Sequence, residues 1–314
     1  MSLARRRSSR RVKIRVPAST SNLGPAFDAV GLAFQLYLTV DAEELEQGPS
    51  TVAYSGEDPQ LVPKDESNFM WRAMEEMAAE HGFRLPAIAL RIANEIPITK
   101  GLGSSAAALL GAAAAVGFFC VGGWTREKLL ELVSAREGHP DNVAPSLWGG
   151  LVASIGGVNG AGKVLCSKSE FPEEWTAIAV TPDFEIKTDF ARSILPPQIS
   201  RDDAVYNIQR VAFLMAQLVQ GRREGLREAM ADLLHQPYRA ELLPGLKEVL
   251  EMEDCEGLLG IALSGAGSTV IAFADSHQME IGTRICRIFD LHGITSRIRF
   301  LKADNTGLVV EPQP

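Results

Sequence analysis

Pro97-Ile98-Thr99-Lys100-Gly101-Leu102-Gly103-Ser104-Ser105-Ala106-Ala107 separates two segments of opposite character. Before it runs Ala87–Ile96, apolar and strand-like. After it runs Ala106–Val116, so rich in alanine that only a helix is reasonable. A strand, a glycine-rich turn and a helix N-terminus together make an anion site, because backbone N–H groups converge there and the helix dipole favours negative charge. Gly101 and Gly103 let the backbone approach a ligand closely. Ser104 and Ser105 are suited to cap the helix or to hold a metal ion. The expectation is that this loop cradles the phosphates of a nucleotide while the rest of the chain supplies an acceptor.

Two familiar nucleotide loops fit poorly. A Walker A loop needs a lysine opening the helix after its last glycine, whereas here Ser104 follows Gly103 and Lys100 precedes both glycines. The spacing Gly101-x-Gly103-x-x-Ala106 does satisfy the dinucleotide fingerprint, but that motif also needs a second strand ending in an acidic residue about 20 residues on. Cys120–Glu127 occupies that place and leads into a helix, which disfavours NAD and FAD.

The chain of 314 residues is long enough for two domains, and its 46% hydrophobic and 22% charged content is that of a soluble globular protein. A net charge of −8 argues against nucleic acid as the main partner. Cys120, Cys166, Cys255 and Cys286 form no C-x-x-C pair, so neither a zinc site nor a disulfide framework is expected. Met1–Arg15 is rich in arginine and serine and lacks the apolar core of a secretory signal. Gly101–Thr125 holds no charged residue, yet it is mostly alanine and glycine; we expect a helix buried in a soluble domain. A cytoplasmic location is expected.

Along the chain, Val12–Val16 reads as a short strand and Pro17–Asp28 as a turn-rich polar loop. Val30–Asp41 returns to a strand pattern. Asn68–His81 is helical, with Phe69, Met70, Ala73, Met74 and Met77 on one face. Thr125 caps a helix over Arg126–Arg136, in which Glu131 faces away from the leucine stripe. The glycine run at 156–162 suggests a hairpin turn or loop. Thr176–Val180 is a strand and Pro182–Pro197 a polar loop. Helices are expected over Asp202–Gln220, Arg222–Leu234, Leu246–Glu253 and His277–Leu291, and strands over Leu258–Ser264, Thr269–Ala274 and Thr295–Leu301.

Six motifs in order carry a family resemblance. They are Ser-Asn-Leu-Gly-Pro-x-Phe-Asp at 21–28, Gly-Leu-Gly-Ser-Ser-Ala at 101–106 and Gly-His-Pro-Asp-Asn-Val-Ala-Pro at 138–145. The others are Thr-x-x-x-Arg at 188–192, Pro-Tyr-Arg-x-x-Leu-x-Pro-Gly at 237–245 and Leu-Ser-Gly-x-Gly at 263–267. Together they resemble the GHMP small-molecule kinases, and the finer pattern is similar to the homoserine kinase branch. Two departures stand out: Ala26 where that family usually has glycine, and Ser268 where proline is common. The resemblance implies an α+β, two-domain GHMP-kinase fold. Residues 1–11 would be a basic disordered tail, 12–168 an ATP-binding domain like ribosomal protein S5 domain 2, and 169–314 a ferredoxin-like domain.

The implied activity is transfer of a phosphoryl group from ATP, with Mg²⁺, to the hydroxyl of L-homoserine, giving O-phosphohomoserine on the route to threonine. Phosphoryl transfer asks mainly for positioning and charge neutralisation. The whole loop Pro97–Ala107 would bind ATP. Ser105, or its neighbour Ser104, and Glu131 would hold the metal, with Glu137 as the alternative carboxylate. Arg192 and Arg239 would take the acceptor carboxylate, which a guanidinium fork matches. Asn22, Asp28, His139, Asn142 and Thr188 would complete the acceptor site. Asn142, Glu131 and Ser105 form the implied catalytic group. In several relatives an aspartate stands where Asn142 does; since an amide takes no proton, direct transfer to a positioned hydroxyl is expected. Expected partners are the small-molecule substrate and a second copy in a homodimer, without nucleic acid or membrane. Two other classes are disfavoured: a dinucleotide oxidoreductase, for want of the acidic strand, and a non-catalytic ATP sensor, because the charge-neutralising groups are all kept.

Overall fold

The computed structural model describes residues 10–156 and 162–314. The basic tail expected at 1–11 and the glycine run at 156–162 fall largely outside the described residues. Arg10 and Arg11, however, belong to the fold: Arg10 pairs with Glu44, and Arg11 opens the first strand and pairs with Asp41.

The first sheet is built from β1 (Arg11–Asn22), β2 (Ala26–Glu44), β3 (Thr51–Gly56), β4 (Ile88–Asn94), β5 (Leu151–Ile155), β6 (Leu165–Ser169) and β11 (Val309–Gln313). Its main path runs β11-β1-β2-β4-β3, and β5 and β6 extend it from the N-terminal part of β2. The long β2 makes this possible: Leu38–Glu44 pairs with β4, while Val30–Leu32 pairs with β5. The polar loop expected at Pro17–Asp28 is instead mostly strand. Ser19, Thr20, Ser21 and Asn22 are at most 2% exposed, so ladder pairing and side-chain hydrogen bonds outweigh their low strand preference. Only Leu23-Gly24-Pro25 remains as the turn into β2.

Of helices α1 (Phe69–Glu80), α2 (Ser104–Val116), α3 (Arg126–Glu137) and α4 (Val143–Trp148), α2 and α4 pack on this sheet, α1 packs against α2, and α3 packs against α2 and α4. Asn68 caps α1 by accepting from the amides of Met70 and Trp71, and Thr125 caps α3 as expected. The apolar segment Ser104–Val121 is long enough to cross a membrane by length and composition, but it is mostly buried inside the protein, as its alanine and glycine content suggested. Small side chains let it approach its neighbours: a Cβ on Gly111 would lie 3.1 Å from Met70.

The second sheet has the order β10-β7-β9-β8, from β7 (Thr176–Pro182), β8 (Leu258–Leu263), β9 (Val270–Ala274) and β10 (Ser296–Leu301), all antiparallel. Residues 170–175 separate it from β6 in sequence, and the expected division at 168/169 falls inside β6, one residue before its end at Ser169. The chain end crosses that division, because β11 pairs with β1. Around this sheet lie α5 (Thr188–Ser193), α6 (Arg201–Gln220), α7 (Leu226–Ala229), α8 (Gln236–Ala240), α9 (Leu246–Leu250) and α10 (Gln278–Leu291). Ile281, Ile285 and Phe289 of α10 and Leu246 and Val249 of α9 fill its core. The helix expected over Arg222–Leu234 shrinks to the single turn of α7, because Gly225 adopts a left-handed conformation ahead of it.

Candidate active site

The loop before α2 is fixed by its glycines. Gly101 and Gly103 both have positive φ, +81° and +70°. A Cβ on Gly101 would lie 2.2 Å from the Ser264 carbonyl oxygen, and one on Gly103 would lie 2.2 Å from Ser19 Oγ. Contacts from three other segments hold the loop in place. The Ser19 amide donates to the Leu102 carbonyl (3.1 Å), the Ser264 hydroxyl to the Gly101 carbonyl (2.6 Å) and the Thr269 amide to the Lys100 carbonyl (3.1 Å). Gly103, not a serine, is the N-cap, and no side chain caps α2. The first amides of α2 therefore lack helical and side-chain partners, and Ser104, Ser105 and Ala106 line a cavity of about 390 Å³.

Of the expected phosphate loop, Ile98 to Gly101 and Gly103 to Ala106 line this cavity. Pro97, Leu102 and Ala107 do not; Leu102 and Ala107 are fully buried behind it. Lys100 lines it too, but its ammonium donates to the carbonyls of Phe184 (2.9 Å) and Pro182 (3.4 Å). That side chain ties the loop to the segment after β7.

The expected carboxylate Glu131 is not at the cavity. Glu137, the last residue of α3, lines it and accepts a 2.5 Å hydrogen bond from Ser105 Oγ. Six residues along an α-helix turn a side chain by roughly 240° and move it about 9 Å, so both glutamates cannot reach the same point. Burial pushes the Glu137 carboxyl up, against the Ser105 hydrogen bond, which lowers it. Among the described residues no group of three or more His, Cys, Asp and Glu side chains could hold a metal. One carboxylate and one hydroxyl beside a phosphate site nevertheless suit Mg²⁺, which keeps several waters and relies on phosphate oxygens.

At the other end of the cavity Asp28 accepts two 2.8 Å hydrogen bonds from Arg192, a bidentate pair. This pairing raises the Arg192 pKa. Arg239 is buried. Its Nη1 donates to the Gly265 carbonyl (2.8 Å) and its Nε to the Ala191 carbonyl (3.3 Å). Burial, and after it the neighbouring Arg192, pulls the Arg239 pKa down to about 10. Both guanidinium carbons sit 5.3 Å from the centre of the Phe27 ring. Asn22 spends its amide on backbone, donating to the Gly265 carbonyl (3.1 Å) and accepting from the Asp28 amide (3.0 Å). Thr188, which opens α5, lines the same cavity.

His139, Asp141 and Asn142 occupy the wall between the two ends. His139 Nδ1 is 2.5 Å from Asp141 Oδ1. Burial lowers the His139 pKa, but its hydrogen bond and charge interaction with Asp141 outweigh this and push it up to about 9. Burial raises the Asp141 pKa, yet the His139 partner carries it below the ordinary carboxylate value. Asn142 is fixed on both sides: its Oδ1 accepts from Ser19 Oγ (3.1 Å), and its Nδ2 donates to Ser21 Oγ (3.0 Å).

Sequence reading missed an apolar lobe of the cavity, formed by Tyr54, Leu61, Val62, Phe69, Ile92 and Ile98. Phe69 shares helical spacing with Met70, Met74 and Met77, yet it is 53% exposed while those three are buried. The available signal was an aromatic residue in the first turn of a helix, directly after a proline-containing loop that also contributes Leu61 and Val62. Such a lobe beside an anion site suits a flat apolar ring.

Comparison with known proteins accords with this layout. The GHMP kinase N-terminal domain matches residues 68–150, and the GHMP kinase C-terminal domain matches 214–289. The homoserine kinase of Desulfitobacterium hafniense is 37% identical over 95% of this chain and 99% of its own length. That of Moorella thermoacetica is 38% identical, with the same coverage. The crystal structure of homoserine kinase from Cytophaga hutchinsonii superposes with a TM-score of 0.82 at 26% identity, covering 99% of this chain and 100% of that one. Lactococcus lactis galactokinase, solved with galactose, shares the fold with a TM-score of 0.69 at 14% identity, covering 95% of each chain. The chain therefore belongs to the GHMP kinases and, among them, to the homoserine kinases.

Proposed function

We propose that this chain transfers the γ-phosphoryl group of ATP to the hydroxyl of L-homoserine within the cavity described above. The observation that carries this reading is the sharing of one cavity by an uncapped helix N-terminus and two arginines. The first is suited to phosphates and the second to the carboxylate of an amino acid. The apolar lobe takes the adenine. The amides of Ser104, Ser105 and Ala106 take phosphate oxygens. Arg239 receives the acceptor carboxylate, and Asp28, shared with Arg192, receives its ammonium.

Ser105 and Glu137 would hold Mg²⁺, which when bound neutralises phosphate charge. The protein's own part is to position. Asn142, fixed between Ser19 and Ser21, orients the acceptor hydroxyl. A general base is poorly supported: His139 is protonated at neutral pH, Asp141 is a weakened base beside it, and Asn142 accepts no proton. The hydroxyl oxygen forms a bond to the γ-phosphorus as the bond to the bridging oxygen of ADP breaks. Its proton passes to an oxygen of the transferred phosphoryl group.

The test is ADP release with L-homoserine, mevalonate and galactose as acceptors. The proposal expects kcat/KM for homoserine to exceed the other two by at least about a hundredfold, on the order of 3 kcal/mol of transition-state discrimination. No turnover of homoserine, or a preference for another alcohol, would sink it.

A further inference from the structure

Behind Arg239 lies a buried polar assembly that the proposed chemistry does not use. His235 is fully buried. Its Nε2 lies 2.8 Å from the carbonyl oxygen of Gly24, in the turn between β1 and β2. A carbonyl can only accept, so this nitrogen carries the proton. Burial keeps the ring neutral by pulling its pKa down, so the other nitrogen, Nδ1, holds a lone pair. Nδ1 lies 3.3 Å from Arg239 Nη1, and Nη1 can only donate. The ring itself is held by stacking on Phe27 at 5.2 Å between centroids.

The His235 backbone is fixed as firmly as its ring. The buried Asp232 carboxylate accepts from the amides of Leu234 (2.9 Å), His235 (2.9 Å) and Gln236 (2.6 Å), and from Asn207 Nδ2 (2.7 Å). Asn207 Nδ2 also donates to the Pro25 carbonyl in the same turn. The turn that begins the first motif is thus wired through His235 to the guanidinium of the fifth.

We propose that His235 is a positioning residue for acceptor recognition: as the Nε2–H tautomer anchored on Gly24, it holds Arg239 in the orientation that receives the carboxylate of the amino-acid acceptor. This rests on the reading that Arg239 binds that carboxylate. The imidazole acts as an adaptor between a carbonyl, which needs a donor, and a guanidinium, which needs an acceptor. Neither a methyl group nor an ammonium could serve both.

The two amide substitutions separate the halves of the adaptor. His235→Gln places a donor near the Nε2 position and loses the acceptor facing Arg239. His235→Asn keeps an oxygen near the Nδ1 position and loses the contact with Gly24. For H235Q, KM for homoserine should rise about tenfold or more, as befits loss of a hydrogen bond to a charged group, while KM for ATP stays within about twofold. H235N should stay within a few-fold of the parent for both substrates. Arg239→Ala is the control for the underlying reading. If R239A leaves homoserine KM unchanged, the carboxylate assignment and this inference both fall. If R239A raises it but H235Q and H235N behave alike, only the inference falls. A purely structural His235 would lower apparent kcat in step with lost folded protein and leave both KM values unchanged. Should H235Q not fold, ¹⁵N NMR of the parent enzyme decides: the Nε2–H tautomer is expected, and a ring protonated at Nδ1 overturns the proposal.

Discussion

Ser105 and Glu137 meet at 2.5 Å beside the helix N-terminus, and that contact selects one carboxylate from two on the same helix. Glu137→Gln should lower kcat by about a hundredfold or more, the range seen when one charge-stabilising group is lost from a transition state. Glu131→Gln, away from the cavity, should leave kcat within about twofold. Steady-state rates with ATP and homoserine check both; equal effects of the two substitutions would contradict the assignment. The family resemblance implied Asp28, Arg192, Arg239 and Asn142 as parts of one acceptor site, and all four line the same cavity. It put Glu131 at the metal with Glu137 as the alternative, whereas Glu137 is the one at the cavity; the choice depends on where α3 ends, which the resemblance did not fix. Phe69 was misread for a related reason. A 3.6-residue period identifies an apolar face, but it does not say whether that face meets a core or an empty pocket.

At the scale of elements the phosphate loop is the most constrained piece of backbone. Gly103→Ala must place a side chain in a left-handed conformation, a cost of about 1–2 kcal/mol before any clash. The added carbon would also fall 2.2 Å from Ser19 Oγ, the hydroxyl that holds Asn142. We expect the variant to fold with a lowered Tm and to show a KM for ATP raised about tenfold or more, the equivalent of one lost charge-assisted hydrogen bond. Thermal denaturation and ATP-dependent kinetics are the measurements. The loop itself was legible, because glycine before an alanine run has few other readings. The strand through Ser19–Asn22 was not: its ladder partners lie nearby in β2, but the side-chain partners that satisfy these small polar residues (Asn142, Ser264 and Gly265) lie more than a hundred residues away. The pairing of β11 with β1 is likewise a long-range contact that local pattern does not encode.

For the molecule as a whole, the site is made where the two sheets meet. The first contributes the turn after β1 and the start of α2; the second contributes α5, α8 and the Gly265–Gly267 turn. Cross-links such as Arg299 on Glu57 and Lys100 on Phe184 tie the halves together near the cavity. The six motifs lie far apart in sequence and converge at this junction, which is why their order carried so much information and their local context so little. On the proposed function, donor and acceptor lie side by side in that cavity and react in one in-line step without a covalent enzyme intermediate. The most direct test is the stereochemical course at phosphorus, using ATP made chiral at its γ-phosphorus with L-homoserine as acceptor. A single in-line displacement gives phosphohomoserine with inverted configuration. Retention, or label that never reaches homoserine, would contradict it.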